Sequence, residues 1–82
     1  MMPLLAEFLG TFLFLFAVAK YGTPLAAGIA FALALFLFGG DCNPAITFMK
    51  HFAGTVSQMN VIKTVAVQLL AAYAVVYFIR RY

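Results

Sequence analysis

Only a few side chains in this sequence are equipped for chemistry, and most of them crowd into Gly39-Gly40-Asp41-Cys42-Asn43-Pro44-Ala45-Ile46-Thr47-Phe48. Asp41, Cys42 and the nearby His51 are too sparse to be a nucleophile site, and no His, Cys or carboxylate pair has metal-ligand or acid–base spacing. The residues therefore predict no enzyme, no metal and no cofactor. They suit hydrogen bonding better. Asn43 has the chemistry of a helix N-cap, and Pro44 falls at the first helical position, where a missing N–H costs nothing. Ile46, Phe48, Met49 and Phe52 would carry a short apolar helix that Gly54 can end. Asp41 is expected to pair locally, with Lys50 or His51; holding a cation or facing headgroups are its alternatives.

The elements that position this stretch are oily. Of 82 residues, 67% are hydrophobic and 9% charged, in long runs and not in amphipathic stripes. A soluble domain this small has no room to hide so much apolar surface. The expectation is an all-α membrane protein, 1–82 as one membrane domain, with helices over 3–20, 24–38 and 61–79 and a re-entrant loop and half-helix over 39–53. The second helix is short, about 22 Å against about 30 Å of hydrocarbon. A polar linker runs over 54–60, and Lys63, Arg80, Arg81 and Tyr82 read as interface anchors. The N-terminal run lacks a basic start and carries Glu7 early, so it is kept as a helix and not a cleaved signal. Net charge is +3, from five basic residues against two acidic ones, and it forms no patch for nucleic acid. The single cysteine has no intramolecular disulfide partner.

Non-helical backbone at membrane depth survives only beside protein or a wet cavity, so the break over 39–43 predicts something polar nearby. A half-helix starting near the midplane also aims a positive dipole end into the membrane. Glu7, expensive in a spanning helix unless paired, is read as accepting hydrogen bonds from backbone N–H groups of the break, with an interfacial place as the alternative. Gln68, inside the last apolar run, is read as a second clamp, with a lipid-side place or helix–helix contact as its alternatives. Cys42 is either pore-facing or a small buried filler. Gly10 and Gly28 read as packing residues.

Several blocks together resemble the aquaporin, or major intrinsic protein, family. Ala6-Glu7-Phe8-Leu9-Gly10-Thr11-Phe12 is similar to the opening of its first helix. Asn43-Pro44-Ala45-Ile46-Thr47 resembles its Asn-Pro-Ala signature, and Gln68-Leu69-Leu70 its glutamine-bearing third helix. Gly22-Thr23-Pro24-Leu25-Ala26-Ala27-Gly28 is similar to the start of the second helix in some bacterial members. The likeness covers nearly the whole chain but only one half of the family's inverted repeat. It implies passive permeation of water or small neutral solutes, with Gly40, Cys42, Asn43, Pro44, Ala45 and Ile46 lining a pore and Glu7 and Gln68 supporting the re-entrant loop. The chain departs from the family in a shorter loop before Asn43, with Asp41 and Cys42 in it, and in having no candidate for the filter arginine.

Three helices cannot enclose a pore, so the resemblance further implies a homo-oligomer in the bilayer, an antiparallel dimer or a higher assembly. For an odd number of crossings the N-terminal amine, Lys50 and Lys63 fall on one side and Lys20, Arg80 and Arg81 on the other. That near-balance suits insertion in both orientations. The rival expectation is a non-conducting small membrane protein, a truncated channel fragment or a partner subunit of a larger channel.

Overall fold

The structure is a computed structural model that describes residues 3–81. Tyr82, read as an anchor, and the N-terminal amine of the charge balance lie outside the described residues. Within 3–81 the chain is all-helical: α1 (Pro3–Tyr21), α2 (Pro24–Phe38), α3 (Pro44–Phe52) and α4 (Gln58–Arg81). Local chemistry sets the boundaries. Thr23 accepts the Ala26 N–H at 3.1 Å and Pro24 takes the first position of α2. Gly39, at φ +73°, turns left-handed and donates its N–H to Leu35 at 2.9 Å, ending α2.

α3 opens with Asn43 Oδ1 accepting from Ala45 N–H at 2.8 Å and closes at Gly54, φ +81°. The last helix starts earlier than the 61–79 read from hydropathy and takes in part of the expected linker. Ser57 is the reason. Its hydroxyl accepts from Asn60 N–H at 3.2 Å and its carbonyl from Val61 N–H at 3.0 Å, a cap that lets the polar first turn join the helix.

α1 is the central element, packed on α2 on one side and α4 on the other, while α3 lies along α4. The contact stripes are made of small or polar residues: Ala6, Glu7, Gly10, Thr11 and Ala17 on α1, Ala30 and Ala34 on α2, and Val61, Gln68, Ala71 and Val75 on α4. Small side chains let helix backbones approach closely without hydrophobic expulsion from water. The large apolar residues point outward instead, Phe36 at 86%, Phe52 at 80% and Leu25 at 74% exposure. α1 and α4 run parallel, since Glu7 meets Gln68 and Phe16 meets Phe78 edge-to-face, ring centroids 5.9 Å apart.

Two helices, α1 and α4, are long and apolar enough to cross a membrane; α2, with 15 residues, is a shorter apolar helix. In the most apolar windows of α1 and α4 only 22% and 17% of residues are buried within the chain.

Candidate functional site: a clamped break between α2 and α3

Between Gly39 and Asn43 the chain leaves helical geometry, and its peptide groups need partners. Glu7, on the contact stripe of α1, supplies them. Its Oε2 accepts from Asp41 N–H at 2.7 Å and its Oε1 from Cys42 N–H at 3.1 Å. Gln68 Nε2, from α4, reaches the same Oε1 at 3.2 Å. One carboxylate thus ties three segments together, at 7% exposure. Charge-assisted bonds of this kind are roughly twice as strong as neutral ones.

Gly40 makes the approach possible. A Cβ built there would lie 2.9 Å from the Glu7 carboxyl carbon, so the break touches the acid because this position has no side chain.

A second layer continues from Gln68. Its Nε2 also donates to Thr47 Oγ1 at 3.2 Å, and Thr47 in turn donates to Asp41 Oδ2 at 2.8 Å. Asp41 Oδ1 forms an ion pair with Lys50 Nζ. The result is a continuous chain of contacts, Glu7–Gln68–Thr47–Asp41–Lys50, running from the helix contact to a half-exposed cation. Each carboxylate is met by donors. Two buried polar atoms, Thr11 Oγ1 and Gln68 Oε1, have no hydrogen-bond partner among the described residues.

The residues grouped by sequence as pore-lining do not share one environment. Ala45 is exposed, and Asn43, Pro44, Ile46 and Gly40 are half-buried. Asn43 uses Oδ1 for its cap, and its amide NH2 has no partner among the described residues. Cys42 is different. It is 2% exposed, and its φ of +61° turns the thiol into α1 beside Gly10. A Cβ at Gly10 would sit 2.7 Å from Cys42 Sγ, so a missing side chain on α1 cradles the sulfur. Cys42 therefore faces no open surface in this chain; of its two readings, the buried filler describes its position. Asp41 takes Lys50 and not His51, whose Nδ1–H is committed to the Val56 carbonyl at 2.8 Å.

Thr47 is a joint that sequence reasoning does not single out. A signal exists: Asn43, Thr47 and Lys50 recur at helical spacing, a polar stripe on an otherwise apolar short helix. The clamp residues also sit toward the starts of their helices. Glu7 lies about 6 Å along α1 from Pro3 and Gln68 about 15 Å along α4 from Gln58, so both are nearer one end. No group of three or more metal-ligating side chains occurs among the described residues. Comparison with protein-family models, curated proteins and solved structures finds no match to this chain.

Proposed function

We propose that this chain is a multi-pass integral membrane protein, built like half of an aquaporin, in which α1, α2 and α4 cross the bilayer while 39–53 enters and returns. Two copies in opposite orientation would enclose a passive pore for water or small neutral solutes. The observation that carries the reading is the clamped break: buried peptide groups of Asp41 and Cys42 held by Glu7, leading into a half-helix that Asn43 caps with Oδ1 while its NH2 is left to donate elsewhere.

The outward-facing apolar residues support the membrane part. So much exposed Leu, Phe and Ile surface needs lipid or another chain against it. The helix lengths support the topology. From Pro3 to Lys20 and from Lys63 to Arg80, α1 and α4 each run about 26 Å between a boundary and a basic anchor. α2 runs short by about 8 Å of the hydrocarbon thickness, and Glu7 meets the break at about that depth along α1. Peptide groups at such depth need the polar surroundings that Glu7 and Gln68 give them.

In the dimer, each copy contributes one α3 start. The Asn43 NH2 groups and the positive helix ends would orient passing water oxygens toward them, interrupting the hydrogen-bonded wire that carries protons and repelling cations. Carbonyls of the 39–42 segment would act as acceptors. No bond is made or broken.

The test is osmotic shrinkage of liposomes containing the purified chain, followed by stopped-flow light scattering. The expected result is water permeability well above that of empty liposomes, with a low activation energy. Rates equal to empty liposomes from folded, inserted protein would overturn the homomeric pore and favour a partner-subunit or non-conducting role.

A further inference from the structure

Beside the clamp, a cavity of about 450 Å³ opens at the end of the molecule where α1 and α4 begin. Leu4, Asp41, Lys50, Asn60, Lys63 and Thr64 are among its lining residues. Its polar groups are unevenly matched. The one carboxylate, Asp41, already accepts from Thr47 and pairs with Lys50. The ammonium of Lys63, the side-chain amide of Asn60 and the hydroxyl of Thr64 have no partner among the described residues. Lys50 keeps donor capacity beyond its single bond and is 46% exposed. The lining thus holds two cations, one anion already engaged, and spare donors on the first two turns of α4, where the helix dipole is positive.

We infer that this cavity is a binding site for a phosphate-ester anion. Lys63 supplies the charge, Asn60 and Thr64 donate to the phosphate oxygens, and Lys50, on α3, adds a second cation. Leu4 and Pro3 give the site an apolar side, which suits an ester more than a bare ion. The levels fit. Lys63 and Pro3 sit at the boundary assigned to the bilayer surface in the proposed topology, which is where phosphodiester headgroups lie. The inference rests on that membrane placement and not on conduction.

The test uses the full chain in dodecyl maltoside, by native mass spectrometry, with phosphatidylglycerol or phosphatidylcholine added and with inorganic phosphate as a competitor. Wild type should retain phosphatidylglycerol preferentially. Lys63→Gln should cut that preference roughly fivefold, the effect of one basic side chain at an anionic surface. Lys20→Gln, at the opposite end of α1, should leave it unchanged. Lys63 has no partner among the described residues, so its replacement leaves the clamp intact.

Displacement of the lipid by millimolar inorganic phosphate would identify the free anion as a ligand of the site, and resistance to it would identify the headgroup; either satisfies the inference. Equal retention of the two lipids with no phosphate adduct would overturn it. So would equal losses in Lys63→Gln and Lys20→Gln, which would mark diffuse charge attraction. Lys63-dependent binding without water permeation would remove the pore alone, and permeation without such binding would remove this site alone.

Discussion

Glu7 joins three segments of the fold through one carboxylate. Its two oxygens accept from two successive peptide N–H groups and from an amide on a third segment. Glu7→Gln keeps the shape but offers one acceptor oxygen, and it turns an NH2 toward groups that are themselves donors. Loss of charge-assisted bonds at a buried position should cost about 2–4 kcal/mol. Denaturant titration in detergent, followed by helical circular dichroism, would show it as a lowered midpoint; an unmoved midpoint would mean the break is held by packing alone.

The Gly10–Cys42 contact is a matched pair at the same scale. Gly10→Ala drives a methyl to 2.7 Å from Cys42 Sγ and should cost about 1–3 kcal/mol. In a Cys42→Gly background the obstruction is gone and φ +61° is unstrained. There the same Gly10→Ala change should be close to neutral. Equal costs in both backgrounds, measured as a double-mutant cycle, would show that the two residues do not meet.

At the scale of the element, α3 combines two roles in Asn43. The side-chain oxygen caps the helix, and under the proposed function the NH2, which has no partner among the described residues, donates to the permeating solute. Asn43→Asp separates them, because a carboxylate caps as well and suits the positive helix end. The expected outcome is unchanged helicity and unfolding midpoint together with reduced water permeability in liposomes. If permeability stays at the wild-type rate, the free NH2 has no part in permeation.

The other boundaries follow comparably local rules. Thr23 with Pro24, Gly39 and Gly54 are all legible as starts and stops from residue type alone, because each acts within about one turn of its own position. The late start that hydropathy assigns to α4 has a local cause too. Hydropathy weighs Gln58 and Asn60 as linker, whereas the Ser57 hydroxyl and carbonyl make them the first turn.

For the whole molecule, basic residues divide almost evenly between the two ends of α1 and α4, with Lys50 and Lys63 at one and Lys20, Arg80 and Arg81 at the other. Under the proposed topology, each orientation is then nearly as favourable as the other. Arg80→Gln with Arg81→Gln should shift insertion so that the end bearing Lys50 and Lys63 lies predominantly cytoplasmic. Cysteine or tag accessibility from the two sides of the membrane would report the ratio. A wild type found in one orientation only would remove the antiparallel dimer while leaving the folded unit untouched.

The sequence alone determined the helix content, the start and stop of α3, the break before it and the apolar character of every long segment. Those properties depend on residue type and on neighbours within a few positions, so they are present in the string of letters. Tertiary structure decided which groups meet. It chose Lys50 over His51 for Asp41, made Thr47 the joint between Gln68 and Asp41, and turned Cys42 inward to Gly10. The last two bring together residues distant in sequence, Thr47 with Gln68 21 positions away and Cys42 with Gly10, on helices whose rotation is set by small-residue packing, and no local preference specifies that rotation. A hydrogen-bond partner is selected by distance and direction in space, which hydropathy and capping chemistry do not encode.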